Sequence, residues 1–71
     1  MPRKPSFNRY LRNARIERGL TVATVAEQVG VSTVSIYLWE LGRSKPRAEN
    51  LTALCKVLNL PLRATREMAA G

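Results

Sequence analysis

Residues 21–40 run Thr21-Val22-Ala23-Thr24-Val25-Ala26-Glu27-Gln28-Val29-Gly30-Val31-Ser32-Thr33-Val34-Ser35-Ile36-Tyr37-Leu38-Trp39-Glu40. The stretch reads as two short helices hinged on Gly30. Its apolar positions, Val25, Ala26, Val29, Val31, Ile36 and Trp39, fit two helices packed against each other, and Ala26 is small enough for a close crossing. Gly30 falls where the turn requires φ > 0, a conformation open to a residue without Cβ. Ser32 then stands where the second helix needs a side-chain oxygen for its free N–H groups. Thr21 holds the same position before the first helix.

Two helices joined in this way form a helix-turn-helix, whose second helix enters the DNA major groove. Size and charge agree. The chain of 71 residues makes one small domain with a marginal core. It carries 12 Lys+Arg against 5 Asp+Glu, a formal net charge of +7. Such a chain attracts polyanions, because neutralising phosphates releases condensed counterions. Arg3, Lys4, Arg9, Arg12, Arg15 and Arg18 crowd the first eighteen positions, with only Glu17 opposing.

Working outward, Pro2 and Pro5 hold the residues before them extended. Residues 1–6 therefore read as a flexible basic arm, and residues 7–69 as the helix-turn-helix domain. Ser6 can cap a first helix from about Phe7 to Arg18, with Phe7, Leu11 and Ala14 inward. Arg9, Arg12 and Arg18 read as solvated, and Gly19 ends the helix. The second helix spans about Val22–Val29 and the third about Thr33–Leu41, stopping at Gly42. A loop with Arg43, Lys45 and a helix-initiating Pro46 leads to a fourth helix, about Arg47–Leu58. Leu51, Leu54, Cys55 and Leu58 share one of its faces, with Leu60 and Leu62 packed beneath. Pro61 opens a short fifth helix, about Leu62–Ala69. The fold class expected is all-α, a compact domain of four or five helices.

Several function classes drop out. No histidine exists, so no imidazole base and no ordinary zinc site can form, and the five carboxylates are scattered singly. No enzyme, metal site, cofactor or small-molecule ligand is expected. The single Cys55 cannot form an internal disulfide and sits in an apolar pattern, as a buried small hydrophobe does. No apolar run reaches the ~18 residues of a membrane span, and the basic N-terminus lacks the apolar stretch of a signal peptide. A cytoplasmic location follows as the default.

In order and spacing, four pieces resemble the Cro and lambda-repressor type of helix-turn-helix proteins, often called the XRE family. They are Leu11-Arg12-x-x-Arg15-x-x-x-Gly19-Leu20-Thr21, Val25-Ala26-x-x-Val29-Gly30-Val31-Ser32, Ile36-x-x-Trp39-Glu40-x-Gly42-x-x-x-Pro46 and Leu51-x-x-Leu54-x-x-x-Leu58. The match covers about residues 7–62. It implies a lambda-repressor-like domain and a transcriptional regulator, often from phages, prophages, plasmids or mobile elements, that binds palindromic double-stranded operators as a homodimer. It also implies that Arg15 and Glu40 form an ion pair tying the motif to its scaffold. The family often has Gln opening the second helix and Asn after the Glu, both near phosphate; this chain has Val22 and Leu41.

The third-helix positions not needed for the core are Ser32, Thr33, Val34, Tyr37 and Leu38, the expected base contacts. They lack the Arg, Lys, Gln and Asn of the strongest bidentate contacts. Val34 and Leu38 can instead pack on thymine C5-methyl groups, which predicts an A·T-rich operator. Thr21, Arg43, Ser44, Lys45 and Arg47 are expected on the sugar-phosphate backbone, joined by Arg3 and Lys4 from the arm. Trp39, three after Ile36, falls in the core. Two rival readings keep the fold and lose specific recognition. One is a protein-interaction module with an apolar patch of Val22, Leu38 and Leu41. The other is a charge-driven, sequence-indifferent nucleic-acid binder. A dimer surface is expected around Leu60, Leu62 and Met68.

Overall fold

The computed structural model describes residues 6–70, so the arm residues Arg3 and Lys4 lie outside the described residues. Five helices follow one another: α1 Phe7–Glu17, α2 Val22–Val29, α3 Thr33–Glu40, α4 Ala48–Leu58 and α5 Leu62–Ala70. No strand occurs among the described residues. The expected elements all form, with no end displaced by more than one residue. Arg18, Leu41 and Arg47 turn out to be caps rather than helical residues. Pro46 therefore stands before the cap of α4 and does not open the helix. Pro61 does launch α5: its carbonyl accepts from the Thr65 N–H at 3.0 Å and from the Thr65 hydroxyl at 2.7 Å.

Local chemistry sets the motif. Thr21 accepts a hydrogen bond from the Thr24 N–H, and Ser32 accepts one from the Ser35 N–H. These side chains satisfy donors that a helix start leaves free. Ser6 occupies the corresponding position before α1, but its side chain makes no cap bond. Gly30 takes φ +88, and a Cβ there would meet nothing within 4 Å. Its requirement for glycine is thus one of backbone conformation rather than space. Gly42 differs, because at φ +74 a Cβ would also approach the Asn8 side chain at 3.3 Å.

Helix α2 packs on α3 and α4, α1 on α3 and α5, and α4 on α5. Leu11, Val25, Ile36, Leu54 and Leu58 meet at the centre, almost fully buried, with Phe7, Ala14, Ala26, Trp39 and Leu51 around them. Each of the valine, leucine, isoleucine and phenylalanine side chains among them contributes roughly 1.5–3 kcal/mol through burial. Cys55 is buried as expected. Val22 corrects an expectation: only 8% exposed, it joins the core, so a surface patch of Val22, Leu38 and Leu41 does not form. An apolar residue opening α2 is thereby accounted for by packing.

Candidate nucleic-acid interface

Helix α3 is apolar on both sides, and its two sides have different environments. Ile36, Trp39 and Glu40 are buried. Ser32, Thr33, Val34, Tyr37 and Leu38, all five expected base contacts, are exposed. Val34 is 61% exposed, Tyr37 54%, Leu38 36% and the following Leu41 65%. The positions 34, 37, 38 and 41 recur at i, i+3, i+4 and i+7, which is one continuous helix face. Four apolar or aromatic side chains on one open stripe are the composition of a contact surface rather than of a solvated face.

The polar atoms beside the stripe are mainly hydroxyls. The Ser32 hydroxyl is partly committed, accepting from the Ser35 N–H at 3.2 Å and lying 3.3 Å from the Ser35 hydroxyl. Likewise Thr21 accepts from the Thr24 N–H at 3.0 Å and donates to the Thr24 hydroxyl at 2.9 Å. Thr33 and Tyr37 have no such engagement among the side-chain hydrogen bonds of the described residues. Beyond α3, Arg43, Ser44, Lys45 and Arg47 are all exposed. Among the described residues the only ion pair is Arg15–Glu40, so none of these three cations is neutralised by a neighbouring carboxylate. The Arg47 side chain makes no cap bond to α4.

The orientation of α3 is fixed from behind. Arg15 on α1 grips the Glu40 carboxylate with two parallel bonds, Nε to Oε2 at 2.7 Å and Nη2 to Oε1 at 3.0 Å. Its remaining terminal nitrogen donates to the Leu20 carbonyl at 2.9 Å, so one side chain joins α1, the α1–α2 turn and α3. This is the bidentate geometry that distinguishes Arg from Lys. The hydrogen bond to Glu40 raises the Arg15 pKa from its ordinary value, against the lowering effect of burial.

Two residues in this scaffold escaped the sequence reading. Asn8 donates its side-chain amide to the Glu40 carbonyl at 3.3 Å, holding the C-terminal end of α3 against α1. Arg18, expected to be merely solvated, donates to the Ala14 carbonyl at 3.2 Å and the Asn59 carbonyl at 3.4 Å. It thereby joins the ends of α1 and α4. Arg9 and Arg12 are exposed, as expected. A cleft of about 230 Å³ lies elsewhere, lined by Tyr10, Asn13, Ala14, Glu17, Arg18 and Leu60, with no contribution from α3. No group of three potential metal ligands occurs among the described residues. No helix among them is long and apolar enough to cross a membrane.

Residues 11–64 match the helix-turn-helix family. The chain belongs to that family. It is similar to the transcriptional regulator ClgR of Mycobacterium tuberculosis, with 40% identity over 52 residues, 73% of this chain and 46% of the relative. The chain thus spans less than half the length of the curated relatives it matches. Among solved structures it resembles the P22 c2 repressor in complex with a synthetic operator, with a TM-score of 0.82 and 31% identity over 87% of this chain and 94% of that one. It also resembles the restriction-modification controller protein C.AhdI of Aeromonas hydrophila, with a TM-score of 0.77 and 25% identity over 83% and 89% of the two chains. The architecture is therefore that of the lambda- and P22-repressor-like DNA-binding domains.

Proposed function

We propose that this protein is a sequence-specific transcriptional regulator, a repressor of phage, prophage or plasmid type acting in the cytoplasm. It binds a palindromic double-stranded operator as a homodimer, with α3 in the major groove. The observation that carries this reading is the division of α3. One face is locked to the core and to Arg15, and the other is open and flanked by three unpaired cations. Thr33, Val34, Tyr37 and Leu38 then face the groove, with Ser32 at its edge. Val34 and Leu38 pack on thymine methyl groups, while Thr33 and Tyr37 offer hydroxyls to base edges or phosphate. Arg43, Ser44, Lys45 and Arg47 take the backbone, and the free N–H groups opening α4 favour the same phosphate. Thr21 approaches the backbone on the other side. Arg3 and Lys4 are proposed to extend the contact from the arm.

One recognition helix reads only a few base pairs, so specificity requires two helices about one DNA turn, ~34 Å, apart. Leu60, Leu62 and Met68, the residues proposed for the surface that pairs them, are all half-buried, and Leu60 and Met68 pack against the protein's own core.

Salt titration separates this reading from a charge-driven binder. A specific regulator binds its operator about 10³-fold or more tighter than random DNA at physiological salt. Lys45→Ala is expected to weaken binding to every sequence alike and to reduce the salt slope by about 0.9 per contacted phosphate. Equal affinities and equal slopes for operator and random duplex refute specific recognition. The continuation of the apolar stripe to Leu41 favours a second reading, a protein-interaction module, and failure to bind any duplex supports it.

A further inference from the structure

We infer that α3 reads the pyrimidine C5-methyl group itself, so that 5-methylcytosine serves in place of thymine and cytosine methylation changes binding. The inference rests on the proposed placement of α3 in the major groove and specifies its ligand chemistry. The open face of α3 presents two kinds of group. Val34 and Leu38, 61% and 36% exposed, present alkyl carbon. Thr33 and Tyr37 present hydroxyls. No amide, guanidinium or ammonium side chain occurs in Thr33–Glu40, and its one carboxylate, Glu40, is buried and held by Arg15.

That chemistry determines what can be distinguished. Thymine and 5-methylcytosine share the C5-methyl and differ at the 4-position, where one offers an acceptor and the other an amino donor. A carboxylate, which only accepts, or a guanidinium, which only donates, tells these apart. A hydroxyl both donates and accepts, and so accommodates either. Alkyl side chains respond only to the presence of the methyl. Val34 and Leu38 lie four residues apart, about 6 Å along the axis, close to two base steps of roughly 3.4 Å each. The face therefore suits methylated pyrimidines two base steps apart and does not discriminate between the two that carry the methyl.

The test uses the tightest duplex selected from a random pool. Each thymine of the half-site is replaced in turn by uracil, which removes only the methyl. At the sensitive positions, 5-methylcytosine·guanine is compared with cytosine·guanine, which adds only the methyl. We expect uracil to weaken binding about fourfold per methyl, the factor that burial of one such group supplies, and about fifteenfold when both half-sites are changed. The methylated cytosine pair should bind tighter than the unmethylated one by the same factors. Val34→Ala and Leu38→Ala should each abolish the methyl dependence at one position with the melting temperature retained. If uracil matches thymine and methylated cytosine matches unmethylated, while operator still exceeds random DNA, the inference fails alone. If no duplex is preferred, it fails together with the proposed function.

Discussion

Glu40→Ala lowers the unfolding free energy by about 3 kcal/mol, because it leaves the Arg15 guanidinium without its carboxylate in a largely buried site. In a domain of 71 residues this corresponds to a fall in melting temperature on the order of 12–24 °C. The loss is large because Arg15 does more than pair. Its two bonds to Glu40 and third to Leu20 hold α3 to α1 and to the α1–α2 turn. The Asn8 bond to the main-chain carbonyl of residue 40 is retained in the variant, so the loss reports on the ion pair. Arg15→Met combined with Glu40→Leu should recover much of the stability, since an apolar pair of similar volume avoids a buried lone charge. Thermal unfolding followed by circular dichroism checks both. An unchanged melting temperature in Glu40→Ala refutes the structural role of the pair.

Val34→Asp should show the opposite pattern, full stability with binding lost. Val34 is 61% exposed, so its replacement removes little packing. It is also the second residue of α3, where a carboxylate interacts favourably with the free N–H groups and the helix dipole. Stability is therefore unchanged or slightly raised, within about 0.5 kcal/mol. In the proposed complex the same carboxylate replaces a methyl contact and faces phosphates. A mismatched contact at one base pair costs about 1–3 kcal/mol, so two half-sites lose roughly 2–6 kcal/mol, at least thirtyfold in affinity. Operator binding measured beside thermal unfolding checks the pair of outcomes. Retained affinity would show that Val34 does not face the groove.

The contrast between these substitutions follows from what was legible in the chain. Gly30, Ser32 and Thr21 act through their own backbone neighbours, so their roles could be read locally, and the structure reproduces them. The inward residues of α1 and α4 were legible because their apolar positions recur at helical spacing. Helix α3 is harder, being apolar all round; Ile36 and Trp39 decided its inward face, and the exposed stripe followed by subtraction. Arg15–Glu40 spans 25 residues and leaves no periodic trace, so it was accessible only through family resemblance. Asn8 and Arg18 reach across 32 and 41 residues, distances at which only the packed helices determine a partner. Val22 shows the limit at a single position. Standing first in α2, it turns inward or outward according to how α2 crosses its neighbours, which no local pattern fixes.

The most direct measurement is selection of bound sequences from a random DNA pool at about physiological salt. The account predicts a two-fold symmetric motif with half-sites about one helical turn apart and thymines at the positions facing Val34 and Leu38. A pool that remains unenriched, or a motif with G·C at every contacted step in unmethylated DNA, would contradict it.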